Sequence, residues 1–262
     1  MISPLAYIDP AAKIGEGVTI EPFAYIQGKV VIGDGCHIFQ NASVMDGAIL
    51  GKNCQVHSGA VVSGIPQDLK FRGEETTAVI GDNTVIRECA TVNRGTAARG
   101  VTTVGRNCLL MAYAHVGHDC VVGDNVILVN CVALAGEVEV GDYAILSGHV
   151  GVHQFCRVGS HVMISGGTMV AQDIPHFAMV AHQPPSYVGI NAIGLRRRGF
   201  TSEQITLIQD INRVIFQSGM RYSAACDKVE AEFQQSEIRD LIISFIRESK
   251  RGVCKPYRGI SE

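Results

Sequence analysis

Hydrophobic positions recur along the first two thirds of this chain with a period of six residues. The aliphatic residues that share this phase are Ile8, Ile14, Ile20, Ile26, Ile32, Ile38, Val44, Leu50, Val56, Val62, Ile80, Ile86, Val92, Val104, Leu110, Val116, Val122, Leu128, Leu134, Val140, Leu146, Val152, Val158, Ile164 and Val170. Four positions after most of them stands a small residue, such as Ala12, Ala24 or Cys36. A helix of 3.6 residues per turn cannot hold this repeat on one face, whereas a short strand followed by a turn can. The pattern predicts a left-handed parallel β-helix, in which three successive hexapeptides form one triangular coil.

An independent marker supports a coil of three hexapeptides. Pairs of an aliphatic residue and glycine are spaced by 18 within two runs, which begin at Ile14 and at Val104. Between the runs, the pair at Ile80 lies 30 residues after Leu50 and 24 before Val104, so one coil holds about 12 extra residues and the next about six. Both insertions follow the third hexapeptide of their coil and are predicted to leave the same corner of the prism as functional loops. We expect these loops near 64–79 and 94–103.

The hexapeptide pattern stops after Val170. The sequence from there to residue 190 is interpreted as a last irregular rung and a linker. Thr201 with Gln204 three positions later is typical of a capping box, and a one-sided row of isoleucines follows it. Two further helices are expected near 222–234 and 236–250. The sequence therefore predicts a mainly β protein, with a β-helix over 1–190 and a small helical C-terminal domain over 191–262.

The composition and the charge limit which partners, locations and metal sites are expected. The net charge of −3 gives no reason to expect nucleic acid as a partner. No window is long and apolar enough for a transmembrane helix, and the first residues, "MISPLAYIDP", lack the features of a signal peptide, so we expect a cytoplasmic protein. The nine cysteines show no C-x-x-C spacing, which argues against zinc and favours reduced thiols that fill small-residue positions.

The segment "AYAHVGHDC", residues 112–120, carries the candidate chemistry. His118 lies on the third face of the coil that starts at Val104, beside the corner that bears the loops. Adding 18 and 36 gives Gly136 and Gln154, which are predicted to stack on His118 at rungs about 4.8 Å apart. His115 leads into this corner, and His153 lies next to Gln154 one coil beyond Gly136.

Three interpretations of His118 compete. A metal site within one chain is disfavoured because no two histidines are 18 or 36 residues apart, although ligands donated across subunits remain open. A core-filling role is poor because Val116 and Cys120 already take the inward positions. A general base remains, since an imidazole can accept a proton from a hydroxyl when an acceptor orients its other nitrogen. Asp119 is the candidate acceptor, provided that the backbone bends, because adjacent strand residues normally point to opposite sides.

The motifs "HVGHDC", "PQDLK", "VHQFC" and "GINAIGLRRRGF" resemble those of the acyl-carrier-protein-dependent UDP-N-acetylglucosamine acyltransferases, which begin lipid A synthesis. The resemblance covers the chain from end to end. It implies transfer of a fatty acyl group, expected to be 3-hydroxylated, from acyl carrier protein to the 3-hydroxyl of UDP-N-acetylglucosamine. It also implies that no cofactor or metal is needed, and that the protein is a homotrimer with its sites between subunits.

The same resemblance assigns roles to residues. His118 would be the base, Asp119 its partner, and the backbone N–H of Gly136 the oxyanion donor. Contacts to the sugar nucleotide or further pocket residues are implied for Gln67, Asp68, Lys70, His115, His153, Gln154, Asn191 and Arg198. The basic run that contains Arg197 would also suit an acidic carrier protein. Gly166 and Met163 lie where we expect the acyl chain length to be set.

Two positions depart from the sequence pattern of the family. Glu137 stands where a histidine is frequent, and Ile193 where a glutamate is frequent, which puts one pocket contact and one nucleotide contact in doubt.

Other functions of the same architecture remain as alternatives. The related N-acyltransferase carries a further N-terminal domain, whereas the hexapeptides here begin at residue 8. A coenzyme A acetyltransferase typically lacks the "PQDLK" loop and the helical tail. A zinc hydratase of this architecture needs three histidines at an interface, and a structural or ice-binding β-helix would show flat threonine ladders.

Overall fold

The computed structural model describes residues 1–257, so the last five residues of the predicted helical domain, 258–262, lie outside the described residues. The strands are β1 (Tyr7–Ile8), β2 (Lys13–Ile14), β3 (Thr19–Ile20), β4 (Tyr25–Ile26), β5 (Val31–Ile32), β6 (His37–Ile38), β7 (Ser43–Val44), β8 (Ala48–Leu50), β9 (Gln55–Val56), β10 (Val61–Gly64), β11 (Thr77–Ile80), β12 (Val85–Ile86), β13 (Thr91–Asn93), β14 (Val101–Val104), β15 (Leu109–Leu110), β16 (His115–Val116), β17 (Val121–Val122), β18 (Ile127–Leu128), β19 (Ala133–Leu134), β20 (Glu139–Val140), β21 (Ile145–Leu146), β22 (Gly151–Val152), β23 (Arg157–Val158), β24 (Met163–Ile164), β25 (Met169–Val170), β26 (Ala178–Ala181), β27 (Ser186–Ile190) and β28 (Lys255–Pro256). The helices are α1 (Ala192–Arg197), α2 (Ser202–Gln217), α3 (Tyr222–Glu232) and α4 (Glu237–Arg247).

Three parallel sheets form the faces of a triangular prism. Face 1 holds nine strands from β1 to β25, face 2 holds eight from β2 to β23, and face 3 holds eleven, ending with β26, β27 and β28. The chain visits faces 1, 2 and 3 in turn, and each strand pairs with the strand one coil later. His115, for example, pairs with Ala133 of the next coil. This arrangement confirms the predicted left-handed parallel β-helix.

The interior of the prism is built from the predicted aliphatic column. From Ile20 to Val170 every aliphatic residue in the phase of six is buried, whereas Ile8 and Ile14 in the first coil are half-buried. Two-residue strands alternate sides, so one residue of each strand packs inside and its neighbour faces outward. The cysteines are free, and those at small-residue positions are buried, as expected of fillers: Cys36, Cys54, Cys108, Cys120 and Cys156.

Both predicted loops leave the corner between faces 1 and 2. The register joins Leu50 to Ile80 and Ile80 to Val104, which accounts for both insertions. The first loop connects β10 to β11 and the second connects β13 to β14. The structure thus confirms the common corner that the spacing predicted. The residues directly after β16 turn this same corner, so they lie beside the loops.

The last coil differs in part from the sequence prediction. The irregular rung is present: Ile174 bridges to Val158 and Val180 pairs with Ile164, and both pairings span slightly less than a full coil. The interpretation of the following residues as a linker was wrong, because β26 and β27 pair in an antiparallel hairpin that extends face 3. Backbone hydrogen bonding to the sheet edge decides this local structure, and no hexapeptide pattern records it.

The helices follow their sequence signals closely. The Thr201 side chain accepts from the Gln204 N–H while the Gln204 side chain accepts from the Thr201 N–H, which confirms the capping box at the start of α2. The isoleucines of α2 are buried on one side: Ile205, Ile208, Ile211 and Ile215. Across residues 1–257, none of the helices has the length and apolar character that crossing a bilayer requires.

Candidate active site

His118 and Asp119 occupy the loop-bearing corner, directly after β16. The backbone of Asp119 has φ 59°, a left-handed conformation that turns the chain from face 1 towards face 2. This bend removes the objection that neighbouring strand residues point apart, and it lets the two side chains meet. His118 Nδ1 lies 2.8 Å from Asp119 Oδ2, and Asp119 is fully buried.

The Asp119 carboxylate is held by the second loop as well as by His118. Its Oδ1 accepts from the backbone N–H groups of Thr96 at 3.0 Å and Arg99 at 3.1 Å, and its Oδ2 accepts from the Thr96 hydroxyl at 2.6 Å. Burial raises the pKa of this carboxyl, but the hydrogen bonds from Thr96 and His118 outweigh burial and hold the pKa below its ordinary value. Asp119 is therefore an anion at neutral pH.

The ionised Asp119 fixes the tautomer of His118. A carboxylate can only accept, so Nδ1 of His118 carries a proton, and in the neutral ring Nε2 presents a lone pair. Nε2 faces the next rung, where a methyl group placed on Gly136 would lie only 2.4 Å from it. Asp68 Oδ2 of the first loop is 3.9 Å from the same nitrogen. The arrangement suits a base that takes a proton at Nε2.

Gly136 stacks on His118 as its coil offset predicted. The Glu137 N–H donates to the His118 carbonyl at 2.9 Å, and the Phe155 N–H donates to the Gly136 carbonyl at 3.4 Å, so these corners are in register. Within residues 1–257 the Gly136 N–H has no hydrogen-bond acceptor. A free N–H one rung from a base can stabilise an oxyanion that forms between them.

His115 begins an open groove along face 1. Its Nδ1 lies 2.7 Å from the Thr91 hydroxyl, and burial together with the neighbouring His118 lowers its pKa. Beyond it the groove, of about 460 Å³, is lined by apolar and small residues that end at Met169. The outward column after His115 consists of Ala133, Gly151 and Met169. A hydrocarbon chain suits such a surface.

The remaining residues predicted around this corner lie on two sides of it. His153 is at the edge of the groove, with Nδ1 3.1 Å from an Arg251 nitrogen. Gln154 is half-buried at the rung above Gly136. Glu137 lines a separate charged cavity of about 590 Å³, together with Arg99 and Arg251. A carboxylate thus replaces the expected histidine beside this cavity.

The first loop brings only one of its three predicted residues near His118. Asp68 is half-buried and accepts from the Lys70 N–H at 2.9 Å, which forms a tight turn. Gln67 and Lys70 are exposed. Neither side chain forms a hydrogen bond or an ion pair with His118.

Four predicted residues do not converge on His118 within one chain. Asn191 donates to the His161 carbonyl at 3.2 Å, and Arg198 lies 3.5 Å from His161 Nδ1, both at the corner between faces 2 and 3. Arg197 is exposed on α1, whose first turn Asn191 caps. Gly166 lies at the third corner, between β24 and β25.

The corner that holds Asn191 has its own electrostatics. Burial, assisted by the charge of Arg198, lowers the pKa of His161 to about 4, so the ring is neutral at pH 7. The Arg198 guanidinium lies over the Tyr143 ring, 5.3 Å from its centre. Ile193, the second departure from the family, is exposed beside this cluster. Among the described residues no group of three His, Cys, Asp or Glu side chains could hold a metal ion.

Sequence reasoning missed Thr96, Arg99 and Thr102. Thr102 accepts the Asp119 N–H at 2.8 Å through its hydroxyl. The only signal for these residues was the length of the second insertion, since polar residues in a loop are normally solvated. Their role depends on how the loop folds back over the corner.

Models of three families match parts of the chain. A model described as UDP N-acetylglucosamine O-acyltransferase, domain 2, matches residues 173–254. The bacterial transferase hexapeptide model matches residues 102–136, and a model of the GMPPB C-terminal domain matches residues 2–99.

Whole-length relatives agree with the first of these models. The acyl-[acyl-carrier-protein]–UDP-N-acetylglucosamine O-acyltransferase of Chlorobaculum parvum is 54% identical over 259 residues, which cover 98% of each chain. That of Chlorobium phaeobacteroides is 56% identical over 93% of each chain. Among solved structures, the UDP-N-acetylglucosamine acyltransferase of Bacteroides fragilis superposes with a TM-score of 0.96 at 52% identity, covering 97% of this chain and 100% of that one. Similarity of this degree over the full length shows that the chain belongs to the acyl-[acyl-carrier-protein]–UDP-N-acetylglucosamine O-acyltransferase family.

Proposed function

We propose that this chain transfers a fatty acyl group from acyl carrier protein to the 3-hydroxyl of UDP-N-acetylglucosamine, the first step of lipid A synthesis. The family supplies the reaction, and one observation supports its mechanism here. His118 presents its Nε2 at the loop-bearing corner, and its Nδ1 lies 2.8 Å from an oxygen of the buried Asp119. The free N–H of Gly136 lies one rung away.

The proposed step uses only groups of the protein and its two substrates. Nε2 of His118 takes the proton of the sugar hydroxyl as its oxygen attacks the thioester carbonyl. The tetrahedral oxyanion is stabilised by the Gly136 N–H. When the C–S bond breaks, the thiolate leaves and receives the proton from the imidazolium. Asp119 stabilises that imidazolium and remains ionised, so the cycle needs no further cofactor.

The apolar groove from His115 to Met169 is assigned to the acyl chain, which we expect to be 3-hydroxylated. The first-loop residues Gln67, Asp68 and Lys70, together with His153 and Gln154, are proposed to meet the sugar nucleotide or the donor. Asn191 and Arg198 are at another corner of the same chain, so they join this site only if a second subunit supplies them. This separation supports a homotrimer with shared sites. Free cysteine thiols, most of them buried, support a cytoplasmic location.

The test is direct. Purified protein is incubated with UDP-N-acetylglucosamine and a panel of acyl carrier protein thioesters that vary in length and 3-hydroxylation, and the products are identified by mass spectrometry. We expect an ester at the 3-position of the sugar. Transfer from coenzyme A thioesters alone would favour a coenzyme A acyltransferase, and no transfer from any donor would contradict the proposal.

A further inference from the structure

The second loop closes over Asp119 with an unusual number of hydrogen bonds. The insertion between β13 and β14 places three donors on one buried carboxylate: the N–H of Thr96, the N–H of Arg99 and the hydroxyl of Thr96. Asp119 is fully buried, and water therefore cannot replace a donor that is lost. The loop is thus part of the environment of the catalytic pair.

The hydroxyl of Thr96 has a particular place among these donors. It donates at 2.6 Å to Oδ2, the oxygen that also accepts from His118 Nδ1 at 2.8 Å. The two backbone donors both bind Oδ1. Among the described residues Thr96 and His118 are the two partners of Oδ2, and the Thr96 hydroxyl is the one that can be removed without changing the base.

The position of Thr96 is itself fixed. Its hydroxyl accepts from the Ala98 N–H at 3.2 Å, and its carbonyl accepts from the Gly100 N–H at 2.7 Å, which closes the loop into a compact turn. Thr76, at the end of the first loop, donates to the Gly95 carbonyl at 2.6 Å. Thr96 is 7% exposed. A side chain held this way does not rotate to an alternative partner.

We propose that Thr96 is a positioning residue, which fixes the Asp119 carboxylate and so keeps His118 in the tautomer with a bare Nε2. The mechanistic consequence rests on the proposed acyl transfer. Without the hydroxyl, three hydrogen bonds hold the carboxylate in place of four, and Oδ2 keeps His118 as its partner. The imidazole is then held less firmly, and the carboxylate binds a proton more readily because one donor is gone.

Three variants separate positioning from stability. Thr96→Val removes the hydroxyl at nearly constant volume, and Thr96→Ser restores it. Thr84→Val is the matched control, because the Thr84 hydroxyl is also fully buried, donates to the Gly105 carbonyl at 2.7 Å and accepts from the Cys108 N–H at 3.1 Å. Thr84 lies at the corner between faces 2 and 3, away from His118.

The kinetic expectation follows from the loss of one hydrogen bond to a charged group. Thr96→Val should lower kcat by roughly ten- to a hundredfold, with the KM for UDP-N-acetylglucosamine within about twofold of the parent. The acidic limb of its kcat profile should move to higher pH. Thr96→Ser should recover most of the rate, and Thr84→Val should melt at a lower temperature but keep its kcat and pH profile.

A measurement without substrates keeps this inference separate from the proposed function. In protein labelled with ¹⁵N-histidine, the ring nitrogens of His118 are assigned by their absence in His118→Gln. The parent should show a proton on Nδ1 alone, and Thr96→Val a mixture of tautomers. Unchanged ring signals, or a loss of kcat equal in Thr96→Val and Thr84→Val, would overturn the positioning role. A parent that transfers no acyl group would overturn the function instead.

Discussion

At the scale of single residues, the site depends on one left-handed corner residue and one glycine. The positive φ of Asp119 turns a strand neighbour of His118 into its hydrogen-bond partner. Aspartate is among the residues that tolerate this conformation, because its short side chain can hydrogen-bond locally. Gly136 leaves room for the imidazole of His118 in the rung below. Neither property changes the hexapeptide pattern, so catalysis is added to the scaffold without disturbing the repeat.

The space above His118 gives a prediction for Gly136→Ala. The φ of Gly136 lies outside the left-handed region, so alanine fits the backbone, but its methyl group would lie 2.4 Å from His118 Nε2. The ring must then move away from the oxyanion position. We expect kcat to fall by about a hundredfold or more with an unchanged melting temperature, measured by steady-state acyl transfer and thermal unfolding. A variant that keeps full activity would show that the ring does not occupy this position.

At the scale of strands and coils, the glycines that mark the period of the coil have a structural reason. A methyl group on Gly51 would lie 2.3 Å from Oδ1 of Asp82, one coil later, and one on Gly123 would lie 2.2 Å from Oδ1 of Asp142. Each aspartate uses the space to accept a backbone N–H of the coil before it. Asp82 accepts from Lys52 at 2.7 Å. The glycines therefore make room for hydrogen bonds between coils.

Removing one of these coil-to-coil bonds should have a modest and specific effect on stability. Asp82→Ala leaves the Lys52 N–H without its acceptor, which costs on the order of 1 kcal/mol, whereas Asp82→Asn keeps an oxygen at the same place. We expect Asp82→Ala to melt about 2–4 °C lower and Asp82→Asn to melt near the parent, compared at equal protein concentration. Asp210→Ala on α2, which removes a partly exposed ion pair with Arg213, serves as the surface control. Equal melting temperatures for the two Asp82 variants would contradict this role.

The sequence could predict the parts of the structure that follow the hexapeptide repeat, but not the parts that interrupt it. Position in a strict repeat determines packing, so the prism, both insertions and the stacking of Gly136 on His118 followed from spacing alone. The hairpin of β26 and β27 did not, because it forms by pairing at a sheet edge and breaks the period. The hydrogen bonds from Thr96 and Arg99 to Asp119 could not be predicted either, because they depend on the conformation of the loop and join residues that are distant in sequence.

At the scale of the whole molecule, the candidate site residues of one chain lie in two clusters at different corners of the prism. His118, Gly136 and the first loop are at the corner between faces 1 and 2, whereas Asn191 and Arg198 are at the corner between faces 2 and 3. A rigid β-helix cannot bring these corners together by bending. If both groups serve one substrate, they must belong to different subunits of a closed assembly.

Subunit sharing predicts complementation between two inactive variants. His118→Gln and Arg198→Ala, each on a differently tagged chain, should be nearly inactive alone. Every mixed trimer formed by co-expression contains one site with both groups intact, so the doubly tagged species should show up to about a third of the parent activity. The measurement is acyl transfer by the doubly tagged species, with its mass from light scattering. A monomeric mass, or mixed trimers as inactive as their parents, would contradict shared sites.

If His118 is the general base, the turnover rate of a variant that lacks its imidazole must fall sharply. His118→Gln should lower kcat for acyl transfer by roughly 10²- to 10⁴-fold while the melting temperature stays that of the parent. His37→Gln is the matched control, because His37 is also partly buried and paired with a carboxylate, Glu21, at 2.7 Å, but lies on β6 far from the corner. His37→Gln should keep a near-normal rate. Near-normal turnover by His118→Gln would contradict the role of His118 as the general base.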